Sequence, residues 1–174
     1  MADETQGQLP TPDPALRKLD RYVGTWTMEG HLVGSDEITI KGETTFRWLP
    51  GGFFLEQDFH MDFMGMEIQS VELIGYDPET GTFPSTVYSN LSPAPLPYRW
   101  EVEGDDVKIS VTYGPMDSTF TGTWAEDGES FRAAGGPTPA RMRRSTCPTC
   151  GRSPEFVPRL RVLAISPSAR ACQV

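Results

Sequence analysis

The sequence predicts an all-β fold, an antiparallel up-and-down meander closing into a barrel behind one short N-terminal helix. Three observations carry that expectation. From Gly24 onward, apolar and polar residues alternate with period two. Eight such runs follow one another, mostly joined by turns of hairpin length such as "PGG", "DPETG" and "EGDD". Within the runs one parity is greasy and aromatic and the other acidic, so each strand has a single face to bury. An open meander leaves unpaired edges, and closure into a barrel removes them.

Residues 1–14 form a proline-containing polar leader, expected to be disordered. In "PDPALRKLDRYVG", Asp13 is placed to cap a helix and Pro14 to occupy its first position. Leu16, Leu19 and Val23 fall at helical spacing, and Gly24 ends the element. Strands are expected over 25–33, 38–49, 53–63, 66–76, 82–90, 98–104, 107–113 and 118–126. In 53–63, Phe53, Leu55, Phe59, Met61 and Phe63 oppose Glu56, Asp58, His60 and Asp62. In 98–104, Tyr98, Trp100 and Val102 oppose Arg99, Glu101 and Glu103. "LSPAPLPYR" has three prolines and reads as an extended crossing. "DPETG" is a turn, in which Asp77 opens it, Pro78 sets φ and Gly81 supplies positive φ. The domain organisation is therefore a leader (1–14), a barrel (15–132) and a tail (133–174).

Charge separates the last two. Residues 1–130 hold seven Lys or Arg against 23 Asp or Glu, a net of −16. Residues 131–174 hold eight Arg and one acid, a net of +7. The acidic barrel is repelled by nucleic acid and by anionic membranes, so neither is an expected partner. The N-terminus is polar and acidic, and no apolar run reaches the length of a membrane span, so a cytoplasmic location is expected. No nucleophile elbow, P-loop or dinucleotide fingerprint occurs.

"LDRYVGTWTMEG", the stretch from "FRWLPGGFFLEQ" to "IGYDPETGTF", and "STFTGTWAEDGESF" together resemble the uncharacterised bacterial family named domain of unknown function 1579. The resemblance runs over roughly residues 16–131, and that family is related to calycin-like barrels, among them lipocalins, fatty-acid-binding proteins and nitrobindins. It implies a calycin-like barrel with an internal cavity, and no activity. Nitrobindin-like relatives hold haem through a histidine late in the chain. The histidines of this sequence are His31 and His60, so no haem is expected.

An aromatic set, Trp26, Phe46, Trp48, Phe59, Tyr88, Trp100, Tyr113 and Trp124, with Met61 and Met66, is a candidate lining for a small apolar or aromatic ligand. The same side chains also serve simply to fill a core. His60, flanked by Asp58 and Asp62, and Glu56 are candidate acid–base groups, against the plainer reading of a solvated strand face. Glu72 and Gln69 lie on the strand after Glu56 and Gln57, where cross-strand pairing can bring carboxylates together. Non-covalent ligand binding is the leading expectation. The alternatives are an enzyme using His60 or Glu56, and an interaction protein using a basic, zinc-binding tail.

The tail contains "CPTCGR". Cys147 and Cys150 have the spacing of half a zinc site, but a closed site needs four ligands and only Cys172, His31 and His60 remain, so zinc is not expected. Arg, Pro, Ala, Ser and Cys without Lys match what a GC-rich gene yields when read out of frame. Back-translation shifted by one base permits an acidic ending with a strand-like "INVPYV" and a stop where Arg152 meets Ser153. On that reading the tail is irregular and disordered. The barrel then has an open edge between its first and eighth strands, through which it forms a homodimer.

Overall fold

The structure, a computed structural model, describes residues 10–32, 35–114, 116–126, 128, 130–137 and 160–167. Its first element, Pro14–Tyr22, winds as a 3₁₀ helix. Asp13 caps it, Oδ1 accepting a hydrogen bond from the Ala15 N–H at 2.8 Å, and Pro14 follows with no donor to waste. At three residues per turn, Leu16, Leu19 and Tyr22 line up on one face, and all three are buried. The spacing of 3.6 that made Val23 the third apolar contact is thereby corrected. Val23 is the C-cap and is 44% exposed.

Among the described residues ten strands follow: β1 Gly24–Leu32, β2 Ile40–Trp48, β3 Leu55–Phe63, β4 Met66–Ile74, β5 Phe83–Ser89, β6 Leu96–Glu103, β7 Asp106–Tyr113, β8 Met116–Trp124, β9 Phe131–Pro137 and β10 Leu160–Pro167. The first eight match the expected strands to within two residues at every end. Each pairs antiparallel with its neighbour, and β10 lies between β9 and β1 to close the barrel. The expectations of a wholly irregular tail and of an open edge between the first and eighth strands are corrected here. Two strands fill the gap, and "LRVLAISP" has the β-branched and aliphatic content that pairing favours despite its basic surroundings. The edge through which a homodimer was expected is occupied.

Local chemistry fixes the hairpins. Met64 and Gly65 have φ of 55° and 87°, the left-handed pair that a two-residue turn requires, and Asp62 Oδ1 accepts from the Gly65 N–H at 2.9 Å. Asp77 accepts from the Glu79 N–H at 3.0 Å and from the Thr80 hydroxyl at 2.7 Å, as its reading as a turn residue requires. In β2, a Cβ on Gly42 would lie 2.3 Å from the His60 carbonyl oxygen and 2.9 Å from the Met61 Cα. Backbone cannot yield as a side-chain tip can. Gly42→Ala is therefore expected to cost about 1–3 kcal/mol, read as a lower urea midpoint at unchanged m-value.

The 3₁₀ helix plugs one end of the barrel. Leu16, Leu19 and Tyr22 join Trp26, Phe46, Leu55, Ile74, Phe83, Trp100, Trp124 and Phe131 in a single buried cluster. Polar contacts hold the plug in place. The Trp26 indole donates to the Tyr22 carbonyl at 2.6 Å and the Trp48 indole to Asp20 Oδ1 at 2.9 Å. Arg21 donates to Asp105 Oδ1 at 2.7 Å and lies 4.6 Å above the Trp124 ring. Among the described residues no helix is long and apolar enough to cross a membrane.

Candidate functional site

The two ends of the barrel are packed differently. Towards the helix, inward residues are fully buried, with Leu55, Ile74 and Phe83 each at 0% exposure. Towards the opposite end burial is mixed: Ile40, Leu96 and Val111 are buried, whereas Phe59 and Met61 on β3, Ile68 on β4, Tyr98 on β6, Ile109 on β7 and Phe120 on β8, of the same inward parity, are only half-buried. The hairpins at that end also carry exposed apolar side chains, namely Ile38, Met64, Met66, Leu91, Tyr113 and Met116. The meander places all the connections bearing them at one rim, because odd-numbered strands end there and even-numbered strands begin there.

Between the packed and half-buried zones runs a row of inward polar groups. Thr44 is 1% exposed and donates to the Asp58 carbonyl at 3.1 Å, while accepting from Gln57 Nε2 at 3.1 Å. Gln57 pairs across the sheet with Glu72. Glu72 is 6% exposed, and its Oε1 accepts from the Ser85 hydroxyl at 2.5 Å and from the Trp100 indole at 2.8 Å. Burial pushes the Glu72 carboxyl above its ordinary pKa, and those two donors pull against the rise. Ser85 pairs with Tyr98, whose hydroxyl is pushed up by burial and then by the Glu72 charge. Beyond this polar wall, the inward residues Ile109, Val111 and Phe120 are apolar.

The structure distributes the sequence-nominated residues among several places. Phe59 and Met61 are in the half-buried zone, and Trp100 forms its floor. Trp26 and Trp124, with Phe46, belong to the packed plug cluster, and Trp48 is half-buried against it. Tyr113, at the β7–β8 hairpin, and Met66, at the β3–β4 hairpin, both sit at the rim at 45% exposure. Tyr88 is corrected as a lining residue. It pairs with Val71 on the outer face and is 52% exposed, because inward parity in β5 belongs to Phe83, Ser85 and Val87. His60 and Glu56 are corrected as interior acid–base groups. Both have the outward parity of β3, where His60 Nε2 lies 3.2 Å from Asp58 and Glu56 binds Arg47. An open groove of about 350 Å³ beside His60 is lined by the outer-face residues Lys41, Glu43, Asp62 and Glu67 together with Gly42, Met61 and Ile68 of the inward parity. His31 is buried, with Nδ1 at 2.9 Å from the Leu32 carbonyl. Cys147, Cys150 and Cys172 lie outside the described residues.

The residues that sequence reasoning passed over are Thr44, Ser85, Tyr98 and the inward role of Glu72. Their signal was parity. Each is a polar group in the row that Phe46, Phe83, Trp100 or Ile74 marks as inward.

Tyr22 is buried beside Trp124, ring centroids 5.0 Å apart, and among the described residues neither the Tyr22 hydroxyl nor the Trp124 indole N–H has a hydrogen-bond partner. Burial pushes the Tyr22 hydroxyl up to about 12, with the nearby Trp124 N–H and the Arg21 charge opposing. The two groups approach each other but fall short of hydrogen-bond geometry. Tyr22→Phe is therefore expected to stabilise by up to about 1 kcal/mol, measured as a raised thermal midpoint.

A sequence model of the family described as "Protein of unknown function (DUF1579)" matches residues 11–125. A search of curated proteins finds no match. Among solved structures, the chain is similar to that titled "Crystal Structure of Rv2717c from M. tuberculosis", at 12% identity and a TM-score of 0.55. The alignment covers 90% of this chain and 99% of the other. At that identity the likeness supports the barrel fold alone.

Proposed function

The chain belongs to the DUF1579 family, whose description assigns no activity, and we propose that it binds a small apolar or aromatic molecule non-covalently inside the barrel, away from the 3₁₀ helix. One observation carries this reading. Phe59, Met61, Ile68, Ile109 and Phe120 face inward on four different strands yet stay half-buried, whereas Leu55, Ile74, Phe83 and Val107, inward residues nearer the helix, are buried. Covering that residual apolar surface contributes about 25 cal/mol per Å², and the polar row at its floor orients what enters. The plugged end supplies rigidity and the rim supplies entry.

The experiment is a titration with a fluorescent apolar probe, followed by displacement with small aromatic compounds. Saturable one-to-one binding is expected, weakened about tenfold or more by Phe59→Asp, which sets a charge in the apolar lining. No saturable binding by the folded wild-type protein would overturn the proposal.

A further inference from the structure

The centre of the polar row is an acid without a countercharge. Glu72 is more than nine-tenths buried, and both of its hydrogen bonds, from Ser85 and Trp100, end on Oε1. Among the described residues nothing hydrogen-bonds to Oε2, and no Lys, Arg or His pairs with the carboxyl. Two donors on one oxygen favour the ionised form, because hydrogen bonds to a carboxylate are the stronger kind. Burial without a cation disfavours it. The site is therefore built for a charge that is completed only when something positive arrives.

The surroundings select the same sign. The chain as a whole carries a net charge of −9, and a field of that sign concentrates cations at an opening and repels anions. The inward aromatics Phe59, Tyr98 and Phe120 are neighbours that a cation tolerates, since ring faces attract positive charge. A neutral alcohol or ketone would gain the apolar contacts but leave the carboxyl unpaired.

We propose that the barrel recognises a small molecule with an aromatic or aliphatic body and one protonated amine, the ammonium pairing with Glu72 Oε2 and the body lying against Phe59, Ile109 and Phe120. This inference rests on the reading of the barrel interior as a ligand site, and its test separates the two. Phenethylamine and phenethyl alcohol have nearly the same shape and differ in charge at neutral pH. Isothermal titration of the full-length protein with each is expected to give about tenfold or greater preference for the amine, the scale of one charge-assisted hydrogen bond. Glu72→Gln, checked for folding by circular dichroism, is expected to reduce the preference to about twofold or less. Equal binding of amine and alcohol to the wild type would overturn the amine assignment and leave the cavity reading intact, as would a preference that survives Glu72→Gln. If the apolar probe binds but neither compound does, the amine assignment falls alone. If nothing binds, both fall. Because the amine-to-alcohol ratio is read on the wild type, a variant that fails to fold does not spare the proposal.

Discussion

Glu72→Gln is expected to stabilise the ligand-free protein at about pH 8 by about 1–3 kcal/mol, the range for desolvating a poorly compensated polar group, and to have little effect near pH 4. The sign follows from linkage. Burial raises the Glu72 pKa above the ordinary glutamate value of 4.5, so the native state holds the proton more tightly than the unfolded chain. That contribution is fully present below pH 4.5 and is lost as pH rises through the folded-state value. Tyr98, the titratable group facing Glu72, is itself pushed above 10.0 and stays neutral across this window. Urea unfolding of wild type and variant at the two pH values checks the result. Wild-type stability that is unchanged relative to the variant from pH 4 to 8 would contradict it.

The second large effect concerns Trp100, which is 4% exposed, packs against Tyr22 with centroids 5.6 Å apart, and donates to Glu72 at 2.8 Å. Trp100→Ala is expected to cost about 3–5 kcal/mol, through the cavity left in the plug cluster and the donor taken from the acid. Trp100→Phe keeps most of the ring and separates the two contributions. Its cost in the wild type, about 1–3 kcal/mol, is expected to shrink in the Glu72→Gln background, where the acceptor carries no charge. A double-mutant cycle measures the difference. Equal costs in both backgrounds would show that Trp100 acts by packing alone.

Much of the barrel was legible because each outer strand face announces itself. Glu56, Asp58, His60 and Asp62 alternate cleanly with Leu55, Phe59, Met61 and Phe63, and flanking turns fix the register. β4 was harder. Val71 and Leu73 put apolar groups on its outer parity, Val71 being 39% exposed, and Ser70 and Glu72 put polar groups on its inner one. A glutamate there reads as solvent-facing until Gln57 and Val87 are set on either side of it. Tyr88 misled in the opposite direction, since aromatic character alone does not fix parity. The helix was legible in its cap and its apolar residues but not in its pitch, on which the choice of Tyr22 over Val23 depends. β10 was hidden because composition was weighed over the whole tail, although "LRVLAISP" considered alone has the content of a strand.

The rim of the barrel has a chemical consequence beyond its greasiness. Met64, Met66 and Met116 stand 60%, 45% and 41% exposed around the opening, whereas Met28 is 4% exposed. Thioethers at such exposure oxidise readily to sulfoxides, which are polar and can be reduced back enzymatically. Brief peroxide treatment is expected to modify these three ahead of Met28, as peptide mass spectrometry would show. On the proposed binding function, entry through this collar would then become sensitive to oxidants, while the acid and the aromatic walls below it kept their chemistry.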